Sequence, residues 1–318
     1  MSILVIAEAV GDGFRPSTFE LLAQARALGD PATAVLVGED SSKKDQLEGL
    51  AAKVLTVDGA HLAPYSADTW VDALAQVIQA EGADVVLFGE GQRTRDLLPR
   101  IAARLGLNAI TAGMGLTKDG SSYVVHRPAQ GGKAYMDLAV EGGSALIAFR
   151  PNSFPTDIAP VTGTAYEEKT IDAVVDRTPV VEQVVEEGKK IDVTEASVVI
   201  CGGRGMKSEE NLALLEELAD VLGGAWGVTR ALVDAGWKGA DHSIQVGKSG
   251  KTVSPGLYFA CGISGATHHI MGMDTSKVVV AINTDPNAIM FEYADYGITG
   301  DALQVIPEII KQVKAVKG

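Results

Sequence analysis

The sequence is short of several things, and each shortage removes a class of function. It has two cysteines in 318 residues, Cys201 and Cys261, each ending an apolar run with no second cysteine nearby. That excludes a structural zinc site built on paired cysteines and a secreted disulfide framework, and leaves two reduced, buried thiols as the expectation. Positive charge is scarce: 27 Lys and Arg stand against 41 Asp and Glu, a formal net charge of −14. Residues 1–190 carry 17 basic and 26 acidic residues, and residues 191–318 carry 10 and 15, so both halves are acidic. Neither half suits a nucleic-acid backbone or an anionic membrane surface. No apolar run reaches the ~20 residues of a bilayer span, so no transmembrane segment is expected. The apolar start MSILVIAEAV lacks a basic leader and reads as a first strand, not a signal peptide. A cytoplasmic or equivalent reducing location follows as an expectation.

Catalytic signatures are missing too. There is no G-x-S-x-G elbow. Gly247-Lys248-Ser249 resembles the end of a Walker A loop, but the upstream glycine is absent and Gly250 follows. The first half has no G-x-G-x-x-G with a following acidic residue. His268 and His269 are adjacent at a helix start, and neighbouring helical residues do not face one point, so no metal site is expected. No acid–base pair emerges of the kind a stand-alone pyridine nucleotide dehydrogenase needs.

What is present is an alternation of short β-branched runs with amphipathic stretches. Strands are expected at Ile3–Ala7, Thr33–Val37, Lys53–Val57 and Asp84–Phe88, with helices at Ser17–Leu28, Ala67–Ala80 and Arg93–Leu105. This indicates a parallel sheet covered on both faces. Tyr123–Arg127 and Ala145–Arg150 then follow as strands with Gly131-Gly132 and Gly142-Gly143 between them, and are expected to close the first domain as antiparallel strands. The charged segment Glu182–Lys190 reads as a linker. A second parallel pattern begins with a strand at Ser197–Cys201, a helix at Glu209–Leu222, strands at Leu257–Cys261 and Val278–Ile282, and a terminal helix at Asp301–Val316. The fold class is therefore α/β in two domains: residues 1–190 an N-terminal parallel-sheet domain with linker, residues 191–318 a Rossmann-like domain.

Ligands of open parallel sheets bind beyond the carboxyl ends of the strands. In the second domain those loops are Cys201–Ser208, Gly227–Asp234, Gln245–Lys251, Cys261–His269 and Asn283–Pro286. The first and fourth combine glycines with an expected helix start, where free N–H groups favour an anion. Ser208 is also placed to cap its helix. Five of the domain's ten basic residues, Arg204, Lys207, Arg230, Lys248 and Lys251, lie in these loops. In an acidic protein that clustering suggests an anionic ligand such as a dinucleotide diphosphate.

The same loops resemble the FAD-binding domain of the electron transfer flavoprotein alpha subunit. The resemblance runs through GGRGMKS (202–208), VDAGW (233–237), QVG.SGK.VSP.LY (245–258), GISGA..H (262–269), AIN.DP (281–286) and ADYGI.GD (294–301). ILVIAE near the start and FRP at 149–151 extend it faintly into the first domain. The resemblance implies FAD in the second domain. It implies Arg204 near the diphosphate, Thr229 and Arg230 near the isoalloxazine, and Ser249 at flavin N5. Ser264, Gly265, Ala266, Thr267, His268 and His269 would form the loop touching ribityl and phosphate groups, with His269 near the pyrimidine carbonyl. Asn283 and Asp301 would lie on the AMP side. Gln245, Val246, Gly247, Lys248, Gly262 and Ile263 complete the expected cofactor-binding set. Lys248 and His268 stand where many members have Gln, and Thr229 stands where Ser is commoner.

The implied function is electron transport: a heterodimer with a beta subunit, contacted by the first domain, shuttling electrons from acyl-CoA or other dehydrogenases to a quinone oxidoreductase. Two alternatives stay open. One is the alpha subunit of an electron-bifurcating, NADH-dependent complex with a second FAD in its beta subunit. The other is a non-redox nucleotide-binding module. Flavin reduction places negative charge on the N1–C2 carbonyl side of the ring. A charge-assisted hydrogen bond there, from Arg230 or a protonated His269, is worth about 1.5–3 kcal/mol, or roughly 60–130 mV for a one-electron couple.

Overall fold

The computed structural model describes residues 2–317, apart from 133, 142–143, 158, 173–175 and 184–190. The chain divides into two compact units, Met1–Val185 and Glu186–Gly318. The expected boundary at 190, most of the expected linker Glu182–Lys190 and the Gly142-Gly143 turn lie outside the described residues.

Unit 1 begins with strand β1 (Ile3–Ile6), a two-residue hairpin of β2 (Ala9–Val10) and β3 (Gly13–Phe14), and helix α1 (Pro16–Ala27). It continues through β4 (Ala32–Val37), β5 (Lys53–Val57), α2 (Ala67–Glu81), β6 (Val85–Gly89), α3 (Gln92–Leu105) and β7 (Asn108–Gly113). Then come β8 (Gly115–Asp119), β9 (Ser122–Ala129), β10 (Ala134–Val140), β11 (Ala145–Phe149) and β12 (Ala165–Glu168). Seven strands form one sheet in the order β12-β5-β4-β1-β6-β11-β7, with every neighbouring pair parallel.

The strand sequences explain why the sheet is buried on both sides. Successive side chains of a strand point to opposite faces. Ile3 and Val5 therefore join Leu21, Leu22 and Tyr123 on one face, while Leu4 and Ile6 join Trp70, Leu74, Leu97 and Ile101 on the other. The first core is covered by α1 and by the antiparallel sheet β10-β9-β8, the second by α2 and α3.

One expectation is corrected here. Ala145–Arg150 is not an antiparallel partner of Tyr123–Arg127. Only the latter is antiparallel, in β9; Ala145–Phe149 is a parallel strand between β6 and β7. All five residues of ALIAF are buried, and a strand covered on both faces reads as a continuous apolar run. The antiparallel meander β8–β10 fills the crossover that a helix usually provides.

An ion-pair cluster pins the edge strand β12. Glu81 at the end of α2 accepts from Lys53 on β5 (2.7 Å) and Lys169 just past β12 (3.0 Å), and Lys53 also reaches Glu167 (3.0 Å). Burial raises the Glu81 carboxyl, but the two lysines outweigh it and leave its pKa below the ordinary value. A depressed carboxyl stabilises the fold above its unfolded pKa and loses that contribution as pH falls through the folded one. Glu81→Gln is expected to destabilise unit 1 by about 1 kcal/mol at pH 7, the scale of a water-accessible pair. Urea unfolding as a function of pH checks this: the gap to wild type closes as pH falls through the depressed Glu81 pKa.

Unit 2 contains β13 (Val198–Gly202), α4 (Leu212–Leu222), β14 (Ala225–Thr229), α5 (Arg230–Asp234), β15 (Gln245–Val246) and β16 (Leu257–Cys261). It ends with α6 (Thr267–Ile270), β17 (Val279–Asn283), β18 (Tyr296–Thr299) and α7 (Ala302–Lys317). Its six strands are all parallel, in the order β15-β14-β13-β16-β17-β18. This is the doubly wound dinucleotide-binding order 3-2-1-4-5-6. Leu215, Leu218, Ile306 and Ile310 cover one face through α4 and α7, and Ile270, Met273 and Met290 cover the other. Both cysteines are buried, Cys201 on one face and Cys261 on the other. Among the described residues of the whole chain no helix is long and apolar enough to cross a membrane.

Candidate functional site

A wholly parallel sheet collects all its carboxyl ends on one edge. That edge of unit 2 receives Gly203–Ser208 after β13, Arg230 after β14, Gly247–Lys251 after β15, Gly262–His269 after β16, Asn283 at the end of β17 and Asp301 after β18. Strand order reverses between β13 and β16, so the crevice of a doubly wound sheet lies between the loops after these two. All eighteen residues expected around a cofactor belong to these segments or the strand ends that carry them. The segment Gly227–Asp234 is not a loop, however: it is the end of β14 and the five-residue helix α5.

The two central loops touch backbone to backbone. The Gly205 N–H donates to the Gly262 carbonyl (3.0 Å), and Gly203 N–H donates to Cys261 O (2.9 Å). A Cβ on Gly205 would stand 2.6 Å from the Gly262 Cα, and Gly262 itself has φ +63°. Gly247, with φ +140°, is crowded in the same way: a Cβ on Gly272 would lie 2.4 Å from its Cα. These glycines are thus required by loop-to-loop contact, independently of any ligand. The helix-start argument is weaker than the sequence suggested. Arg204–Met206 and Glu209–Asn211 are single 3-10 turns, α4 starts only at Leu212, and α6 has four residues. Ser208 caps no helix N–H; its hydroxyl accepts from Asn211 Nδ2 (3.1 Å).

The five basic residues separate into two groups. Lys207, a non-glycine residue at φ +68°, pairs with Asp301 (2.6 Å). Lys251 pairs with Asp192 (2.6 Å), and Arg230 with Asp234 one turn on (3.2 Å). Asp301 is doubly used, since it also accepts the Leu303 N–H at the start of α7. Arg204 and Lys248 have no ion pair among the described residues, and both are exposed. Ser249, Ser264, Ala266, Thr267 and His268 are exposed beside them, and Thr229 is half-buried.

Other expected site residues face inward. Val246 and Ile263 belong to the core. Gln245 is 1% exposed; its amide donates to the Ser249 hydroxyl (3.2 Å) and its carbonyl oxygen meets His242 Nδ1 (3.0 Å). Gln245 is therefore a support beneath the Ser249 loop. Asn283 donates to the Ile263 carbonyl (2.9 Å), tying the loop after β17 to the one after β16.

His269 is corrected most. It is buried, with Nε2 2.8 Å from the Tyr258 hydroxyl and Nδ1 3.2 Å from the Val246 carbonyl. Burial pushes its pKa down to about 4, against a weaker opposing pull from that carbonyl. The protonated His269 expected from the sequence is a neutral imidazole at pH 7. Tyr258 and Asp192 were missed as contributors. Tyr258 carries the one polar group in the apolar run LYFAC, and a buried hydroxyl needs a partner. Asp192 had no comparable signal, because its partner is 59 residues away.

Gly262→Ala forces a left-handed backbone on a side chain and drives a Cβ into Gly205, at a cost of about 1–3 kcal/mol or more. Denaturant unfolding of the full chain is expected to show that loss in unit 2, whereas Gly223→Ala, also at positive φ but with open space around it, loses less.

Comparisons with known proteins identify the family. The family model described as "Electron transfer flavoprotein domain" matches residues 3–176, and that described as "Electron transfer flavoprotein FAD-binding domain" matches residues 192–274. The chain is 37% identical to the electron transfer flavoprotein subunit alpha of Bacillus subtilis, covering 98% of this chain and 97% of the relative. It is 38% identical to the subunit of the same name from Megasphaera elsdenii, covering 99% and 97%. It is 36% identical to protein FixB of Clostridium saccharobutylicum, covering 99% and 96%. The chain belongs to the electron transfer flavoprotein alpha subunit family.

Proposed function

We propose that unit 2 binds FAD along the carboxyl edge of its sheet, and that the chain works as an electron carrier in a heterodimer with a beta subunit. Electrons pass from dehydrogenases, such as those acting on acyl-CoA, to an acceptor such as a quinone oxidoreductase. The observation that carries this reading is convergence: loops from all six strands meet at one edge, and that edge carries two exposed cations with no ion pair among the described residues, Arg204 and Lys248. An anionic dinucleotide fits that donor set. Among the described residues no cluster of ligands for a metal ion competes with it.

FAD supplies the electron-accepting ring. The chain supplies binding, orientation and field. Arg204 and the Ser264–Thr267 stretch offer charge and hydroxyls to phosphate and ribityl groups. Ser249, braced by Gln245, offers a hydroxyl to the ring. Thr229 and Arg230 offer a hydroxyl and a guanidinium, and a guanidinium stays charged at every accessible pH.

Co-expression with its partner subunit is expected to yield a yellow complex with FAD bound by this chain; a colourless complex with no extractable flavin overturns the reading. Arg230→Ala is expected to lower the first one-electron potential. Arg230 is largely exposed and already paired to Asp234, so the shift falls at the small end, about 60 mV or less. Spectroelectrochemical titration checks it.

A further inference from the structure

The buried polar groups behind the crevice form one chain of hydrogen bonds whose direction is fixed. The Val246 carbonyl can only accept, so His269 Nδ1 must carry the proton that meets it. In a neutral imidazole the other nitrogen is then an acceptor, so the Tyr258 hydroxyl must donate to Nε2. The Cys201 thiol lies next to Tyr258 in the same buried layer. The sequence of donors is Tyr258, then His269, ending on the backbone of β15. Tyr258 is fully buried on β16 and Cys201 fully buried on β13. Both ring nitrogens of His269 are thereby committed inside the protein.

Among the described residues no counter-ion for a buried imidazolium lies beside His269. The titratable groups beside His269 are Tyr258 and, behind it, Cys201. His268 follows it in sequence but is exposed, and exposed Lys248 meets that turn through its backbone N–H, which donates to the His268 carbonyl (2.7 Å).

We propose that Tyr258 is a positioning residue that locks His269 as the neutral Nδ1–H tautomer, so that His269 faces the cofactor edge as a fixed, non-titrating ring. This rests on the reading that FAD lies along that edge. Positive charge near the reduced ring then comes from Arg230 and Lys248, and not from His269. Without the Tyr258 hydroxyl the ring keeps only its Val246 tether. It can then turn outward and take a proton in the range of an exposed imidazole, where the family reading placed it.

Two measurements test this. The first needs no variant. The full chain is labelled with ¹⁵N-histidine, and the His269 signals are assigned by their loss in His269→Gln. Long-range ¹H–¹⁵N correlation is expected to show a protonated Nδ1 and an unprotonated, hydrogen-bonded Nε2, unchanged from pH 5.5 to 8. An Nε2–H tautomer, or an imidazolium at pH 7, overturns the proposal.

The second follows the first one-electron potential of the co-purified heterodimer over the same pH range. Wild type and His269→Gln are expected to have parallel pH profiles. Tyr258→Phe is expected to gain an extra pH-dependent step of about tenfold in the equilibrium, about 59 mV, that disappears in the double variant Tyr258→Phe/His269→Gln. A merely structural role for the tyrosine would not create a step that depends on His269. Wild type carrying such a step already, or Tyr258→Phe lacking it, overturns the proposal. A complex without flavin removes the functional reading instead, while the tautomer read in the unmodified chain still decides the lock.

Discussion

The contact on which the ligand edge of unit 2 depends is that between the Gly205 and Gly262 backbones. At the switch point of a doubly wound sheet, the chain leaves adjacent strands toward opposite faces, and the loops tend to part. Here the loops after β13 and β16 are held against one another by a hydrogen bond from Gly205 N–H to Gly262 O. The approach is too close for a Cβ on either residue. The floor of the crevice is therefore made of main chain, and the side chains of Arg204, Ser264 and Thr267 are left at its rim. Gly247 and Gly272 repeat the device one loop along. A backbone floor is rigid and has no side-chain entropy to lose when a ligand settles on it.

Charge at this edge is organised by the acidic residues as much as by the basic ones. Surface ion pairs contribute little to stability, so the value of Lys207–Asp301 and Lys251–Asp192 is positional. The first joins the loop after β13 to the start of α7. The second anchors the end of the Ser249 loop to residues just after the 184–190 stretch. An acidic domain can in this way fix cations in place and still leave Arg204 and Lys248 uncommitted.

How much was legible beforehand followed the kind of information each feature uses. Strands with a strong signal of their own, β-branched in Lys53–Val57 and apolar in Leu257–Cys261, match the observed limits to the residue. Strands with little apolar signal were missed. The outer strand NAITAG of β7 and the exposed edge strands AYEE of β12 and YGIT of β18 gain their place from pairing, not from their own composition. The direction of Ala145–Phe149 was misread because nearest neighbours in sequence were taken as partners, whereas its burial on both faces decides. The location of the site was readable from glycines and basic residues in loops. What each side chain is bonded to was not, since Lys207 finds Asp301 94 residues away.

His269 shows why such partners matter for chemistry. The same residue type at the same loop position could act as a cation or as a neutral dipole. Its local sequence, two histidines at a short helix start, does not choose between them. Burial chooses: an imidazole enclosed by Val246, Tyr258 and the apolar face of the sheet, with no carboxylate beside it among the described residues, has its pKa pushed down to about 4 and is neutral at pH 7. A guanidinium makes the opposite bargain, since it cannot deprotonate and must stay near water or a counter-ion, as Arg230 does beside Asp234. With His269 neutral and the arginines permanently charged, the field these residues lay across the crevice hardly changes near neutral pH. A potential set by them is then a property of geometry, held by the backbone contacts of the loops and not by the protonation state of His269.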